Sequence, residues 1–212
     1  MVVALIVPAA VGLWILAEPV IALLFQHGDF TSLDTAWVTL ALRAYLIGLI
    51  FAAIDWPLNY AFYARQDTVT PNVVAVISVG VYLAVALSWV EPLGMLGLVL
   101  ADSAKHLTHV LVMWILTWRR MGNLRGLGVG KTLLKAAAAS ALMAAAVLAA
   151  GNGLERVVSG GGMTTWLALV VGAGGAGLIV YLLAGWVLRM EELRQILQIV
   201  QRRLGRQVNL TK

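Results

Sequence analysis

The feature that most constrains this chain is a succession of six long apolar stretches, at roughly 2–25, 36–62, 71–90, 94–118, 132–150 and 164–188, joined by short polar connections. A helix needs about 20 residues to cross a hydrocarbon core of about 30 Å, and each stretch approaches or exceeds that length. With 61% hydrophobic and 12% charged residues, a chain of 212 residues has too little polar surface to clothe a soluble domain. Lipid offers no partner to an unpaired backbone N–H or C=O, so the spanning elements must be helices. The expected fold class is therefore all-α, a polytopic membrane helical bundle of about six transmembrane helices.

Charge sets the expected orientation. Threading the spans puts Arg65, Arg119, Arg120, Arg125, Lys131, Lys135, Arg189, Arg194, Arg202, Arg203, Arg206 and Lys212 on one face. The opposite connections carry Glu18, Asp29, Asp34, Glu91 and Glu155, with Arg156 their one cation. Basic residues flank spans on the cytoplasmic side, which places both termini there. The formal net charge of +5 then reports orientation and attraction to anionic lipid rather than nucleic acid.

Two parts are expected: a transmembrane domain over 1–190 and a basic amphipathic tail over 191–212. In the tail, Leu193, Ile196, Leu197, Val200 and Leu204 share one helical face. Met1 leads straight into apolar residues with no basic segment before them, so the start does not read as a cleavable signal peptide. It reads as a chain opening inside or just before a membrane helix, the C-terminal portion of a larger protein. The fifth stretch is mostly alanine, and the sixth carries Gly172, Ala173, Ala176 and Gly177 at small-xxx-small spacing, which favours close helix packing. Glycine-rich connections are expected over 121–130 and 151–163.

Seven polar residues inside the spans are candidate site residues, because such groups are costly toward lipid. Arg43, Asp55 and Asn59 lie in the second span, where Trp56-Pro57 is expected to kink the helix. Asp102, Lys105, His106 and His109 fall on one broad face of the fourth and are expected to look into the protein or a hydrated cavity. The seven form a candidate substrate or proton pathway, and a self-satisfying structural patch is the competing reading. Asp102, His106 and His109 on one rigid helix cannot readily surround a metal ion, so no metal site is assigned.

Covalent chemistry finds no support. Residues 126–132 look like a phosphate loop, but Arg125 stands where the first glycine is required; there is no HExxH, no GxSxG and no cysteine. Neither an enzyme nor a cofactor is expected.

Two stretches are more specific than hydropathy. One runs from Pro8-Ala9-Ala10-Val11-Gly12-Leu13 through Glu18-Pro19-Val20 to Leu24-Phe25-Gln26-His27-Gly28-Asp29-Phe30-Thr31 and Asp34-Thr35. The other joins Ala44-Tyr45-Leu46-Ile47-Gly48-Leu49 to Ala61-Phe62-Tyr63-Ala64-Arg65-Gln66-Asp67-Thr68-Val69-Thr70-Pro71. In this order and spacing they resemble the MurJ/MviN family of lipid II flippases, within the multidrug/oligosaccharidyl-lipid/polysaccharide exporter superfamily. The resemblance is close over residues 1 to about 115.

The resemblance implies the last six helices of a longer transporter, which would need the preceding N-terminal helices as partners. The implied cargo is the undecaprenyl-pyrophosphate-linked peptidoglycan precursor, moved from the inner to the outer leaflet of a bacterial plasma membrane, with the last two spans bordering a groove for its isoprenoid tail. The family's cationic substrate residues lie mainly in helices preceding this segment, so none carries over, and Lys105 and His106 depart from the small or apolar residues usual there. Within the motif, Gly28 suits a tight turn, and Asp67-Thr68 with Pro71 suits a helix start. Alternatives are a related exporter of another polyprenyl-linked saccharide, an exporter of a small cation held by Asp55 and Asp102, or a non-transporting membrane scaffold.

Overall fold

The computed structural model describes residues 2–122, 129–158 and 162–190. Its elements are α1 (Val2–Ile15), α2 (Ala17–Phe25), α3 (Ser32–Tyr63), α4 (Val69–Leu93), α5 (Met95–Met121), α6 (Val129–Val157), α7 (Met163–Ala168), a π-helical turn (Leu169–Ala173) and α8 (Gly174–Val187). There is no strand among the described residues. Five helical segments are long and apolar enough to cross a membrane, and α1 with α2 makes a sixth if the bent pair counts as one span. The tail 191–212, with its expected amphipathic helix, and the phosphate-loop look-alike around 126–128 lie outside the described residues.

The first apolar stretch is not one straight helix: α1 and α2 meet at Leu16 and are bent by 72°. Pro19 explains the position, because a proline ring clashes with the carbonyl four residues earlier, here that of Ile15, the last residue of α1. Pro8 has the opposite outcome and sits inside α1 without breaking it. It cannot donate to the carbonyl of Ala4, and the hydroxyl of Tyr181 on α8 donates to that carbonyl instead. Both residues are buried, so a helix-internal defect becomes a link between helices. α3 likewise continues through Pro57 to Tyr63.

Helix ends follow local chemistry. Thr31 and Asp34 form a reciprocal capping box at the start of α3. Gly28 has φ +62°, the left-handed turn expected of it. Asp67 accepts from the backbone N–H of Thr70 (2.9 Å) and from its hydroxyl (2.6 Å), with Pro71 in the first turn of α4. The connection expected over 151–163 is shorter than its glycines imply. α6 runs on through Gly151 and Gly153 to Val157, and Leu154 packs against Gly172, where a Cβ would meet Leu154 Cδ1 at 2.8 Å.

The helices form two groups. α3 and α4 both pack along α5 but scarcely touch each other, around a core of Leu58, Phe62, Val74, Val110 and Met113. α1, α6 and α8 form the second group around Ala4, Ala136, Ala139, Met143, Val147 and Tyr181. The small residues act as expected. Gly177 lets α8 approach α6 so closely that a Cβ there would lie 2.4 Å from Val147 Cγ2. Gly48 of α3 does the same for Ser103 of α5, whose hydroxyl donates to the Ala44 carbonyl at 2.9 Å. Contacts of α1 and α2 with α3 join the groups.

Candidate functional site

Because α3 and α4 diverge, the face of α5 between them is the floor of a groove, and the polar row of α5 lies there. Toward the end of the bundle bearing Arg65 and Arg120, the groove opens into a cavity of about 320 Å³ lined by Asp55, Trp56, Asn59, Tyr60 and Tyr63 of α3, Pro71, Asn72 and Ala75 of α4, and His109 of α5. Toward the other end it widens to about 550 Å³, lined by Tyr45, Val79, Tyr82, Leu98, Val99, Asp102 and Lys105.

The row is not one constellation. His109 Nδ1 lies 2.8 Å from Asp55 Oδ1, with both side chains largely buried, and this contact bridges α5 to α3. Asn59 donates its side-chain N–H groups to the other Asp55 oxygen (2.7 Å) and to the Asp55 backbone carbonyl (3.0 Å). One turn or more away on α5, Lys105 donates to Asp102 within the helix. His106 Nε2 stands 3.6 Å from the second Asp102 oxygen. Lys105 also sits 5.9 Å from the centroid of the Tyr82 ring on α4. His109 thus turns to Asp55 and away from Asp102 and His106, and no group of three His, Asp or Glu side chains suited to a metal converges among the described residues.

Arg43 belongs elsewhere. Its Nε donates to the carbonyl of Trp14 (3.1 Å), one of the carbonyls left open at the end of α1. It makes no ion pair among the described residues. It lines a cavity of about 220 Å³ with Leu16, Glu18, Asn152, Glu155 and Leu169. That cavity lies between two irregularities, the α1–α2 break and the π-helical turn, which approach where a Cβ on Gly174 would meet Leu16 Cδ1 at 3.3 Å. A cation at a helix C-terminus is favoured by the helix dipole, so Arg43 completes the broken helix.

At the basic end, Arg120 donates to Asp67 (3.1 Å) and to the Thr70 hydroxyl (2.8 Å), and Arg65 donates to the Arg120 carbonyl (3.4 Å). The Thr70 hydroxyl first, then its N–H and the Arg120 guanidinium, hold the Asp67 carboxyl below the ordinary carboxylate range.

Sequence reasoning missed three features: the Tyr181 link to Ala4, the separation of Arg43 from the other six residues, and an exposed aromatic stripe at Trp56, Tyr60 and Tyr63. The stripe was discoverable, since its spacing keeps one helical face. The partner of Pro8 was not, because Tyr181 is 177 residues away from Ala4.

The family model described as "Lipid II flippase MurJ" matches residues 1–171. A protein of Thermotoga maritima named "Probable lipid II flippase MurJ" is 31% identical over 196 residues, 92% of this chain and 37% of that protein. One of the same name from Bdellovibrio bacteriovorus is 34% identical over 110 residues, 51% of this chain and 21% of that protein. A solved structure titled "Lipid II flippase MurJ, inward closed conformation" superposes with a TM-score of 0.68 at 23% identity, covering 90% of this chain and 37% of that one, so the fold is shared. The chain spans between about a fifth and just over a third of the length of these relatives.

Proposed function

This chain belongs to the lipid II flippase MurJ family, and we propose that it is the C-terminal portion of a transporter that moves lipid-linked peptidoglycan precursor across a bacterial plasma membrane. The family match over residues 1–171 carries the reading, and the five long apolar helical segments, six if the bent pair counts as one span, agree with it. Both termini lie in the cytoplasm, which puts Arg65, Arg119, Arg120, Lys135 and Arg189 at the inner headgroup layer beside anionic lipid, with Trp118 exposed among them. The outward faces of α6 and α8, with Leu134, Leu178, Ile179 and Leu183 exposed, suit contact with hydrocarbon, including an isoprenoid tail.

The polar row of α5, with Asp55 and Asn59, lines the hydrated pathway for substrate or protons. Arg43, outside the groove, holds the broken helix that borders the second cavity. The small-cation reading loses its anionic site, because Asp55 already faces His109 and Asn59, and Asp102 already holds Lys105.

Alternating access requires two lobes rocking around a central site, and six spans supply less than that. In liposomes carrying labelled lipid II, the chain alone is expected to leave the label protected, and the chain combined with the missing N-terminal helices of a full-length relative is expected to transfer it. Transfer by the chain alone overturns the partial-transporter reading, and inactivity of both favours the scaffold. Orientation is checked separately in this cysteine-free chain: a cysteine at His27 reacts with an impermeant reagent from outside and one at Arg119 does not.

A further inference from the structure

The cavity between α3 and α4 contains groups that a proton or ion path does not use. Trp56, Tyr60 and Tyr63 stand in one stripe, with ring centroids 5.9 and 6.4 Å apart. They remain 53%, 58% and 44% exposed, so they form an open wall rather than a packed core. The same cavity is also lined by polar groups, Asp55 and Asn59 from α3, Asn72 from α4 and His109 from α5. Asp55 is already bonded to His109 and Asn59, and Asn59 uses its N–H groups on Asp55, which leaves its carbonyl oxygen to accept. Among the described residues, no hydrogen-bond partner is found for the Asn72 amide or for the hydroxyls of Tyr60 and Tyr63.

Each ligand class uses these groups differently. A hydrocarbon chain would cover the rings and strand the amides, and an inorganic ion would meet a carboxylate already engaged by two partners and waste the rings. A pyranose has apolar C–H faces and hydroxyl edges, which match aromatic rings and amides lining one cavity. The cavity of about 320 Å³ lies at the small end of the size range of ligand pockets.

We propose that the α3/α4 cavity is a saccharide-binding site, with Trp56 and Tyr60 stacking on the C–H face of a pyranose and Asn59 and Asn72 bonding its hydroxyls. The proposal rests on the reading of the chain as part of a lipid-linked saccharide transporter and assigns the sugar portion of the cargo to a place within it.

The test uses the full chain in nanodiscs containing lipid II, with a photoreactive p-benzoylphenylalanine replacing one residue at a time. Ala75 lines the cavity without belonging to the bonding set; Val76, 73% exposed on α4, is the lipid-facing control; Leu148 lines the second cavity. The expected result is a lipid II adduct at position 75 roughly tenfold above that at 76, reduced roughly tenfold by Trp56→Ala with helicity by circular dichroism unchanged. Phospholipid adducts alone at 75 make the stripe an interfacial aromatic belt and overturn the proposal. Lipid II adducts at 148 but not at 75 also overturn it while the transport reading stands. Lipid II adducts at none of the three positions overturn the proposal as well, while the transport reading is judged by the liposome assay.

Discussion

Gly177 and Gly175 lie two residues apart on α8, and the same substitution at each should change stability in opposite directions. A Cβ on Gly175 meets nothing within 4 Å, whereas one on Gly177 lands 2.4 Å from Val147 Cγ2 and 3.3 Å from Met143 Cγ. Replacing glycine by alanine inside a helix gains about 0.5–1 kcal/mol through backbone entropy, so Gly175→Ala should stabilise by about that amount. At Gly177 the same gain is set against overpacking, which typically costs about 1–3 kcal/mol. Val147 is β-branched and confined to essentially one rotamer in a helix, so it cannot swing away; α8 must instead retreat from α6. The net effect should be a loss of about 0.5–2 kcal/mol. The assay is reversible unfolding of the full chain in mixed micelles by SDS titration, followed by far-ultraviolet circular dichroism. A double-mutant cycle isolates the clash: with Val147→Ala in place, Gly177→Ala should turn neutral or stabilising. Equal effects at 175 and 177, or an undiminished loss in the Val147→Ala background, would refute the argument that the Gly177–Val147 contact holds α6 and α8 together.

Tyr181→Phe removes the donor to the Ala4 carbonyl that Pro8 leaves open, and in the same titration it should cost about 0.6–1.7 kcal/mol, as interhelical hydrogen bonds in membranes do; in a Pro8→Ala background, where the backbone N–H can return to Ala4, the cost should largely vanish. Asp67 has a folded pKa held below its unfolded value, chiefly by the Thr70 hydroxyl, so its contribution is present above the ordinary carboxylate pKa and is lost as pH falls through the lowered one. The stability difference between the chain and its Asp67→Asn variant should therefore be constant near neutrality and shrink below about pH 4; a difference that does not change with pH there would show that Asp67 acts only as a neutral cap.

How much of this was legible in the sequence depended on the range of the physics involved. Spans two to four were readable because hydropathy is a local sum, and their observed bounds lie within four residues of the expected ones. The break at Leu16 was half-readable. Both Pro8 and Pro19 are visible, but only packing decides which of them ends a helix: Pro8 has a buried tyrosine to satisfy the carbonyl it orphans, and Pro19 has none recorded against Ile15. The continuation of α6 past Gly151 went against local propensity and was decided by Leu154 meeting Gly172, a contact between segments. For the site, periodicity placed Asp102, Lys105, His106 and His109 on one face of α5, but it could not divide them, because the partner of His109 comes from α3.

That division bears on Lys105 and His106. A half-buried lysine standing alone in a membrane groove would carry an uncompensated charge, at a cost of several kcal/mol. Here Lys105 stands one turn from Asp102 and near the Tyr82 ring, and His106 lies 3.6 Å from the second Asp102 oxygen. These groups close on the carboxylate of their own helix, so no residue of α3 is needed to balance Lys105. The Asp55–His109 contact does require two helices to stay at a fixed separation. Of these two polar clusters, the one spanning α3 and α5 is therefore the one whose energy changes when those helices shift.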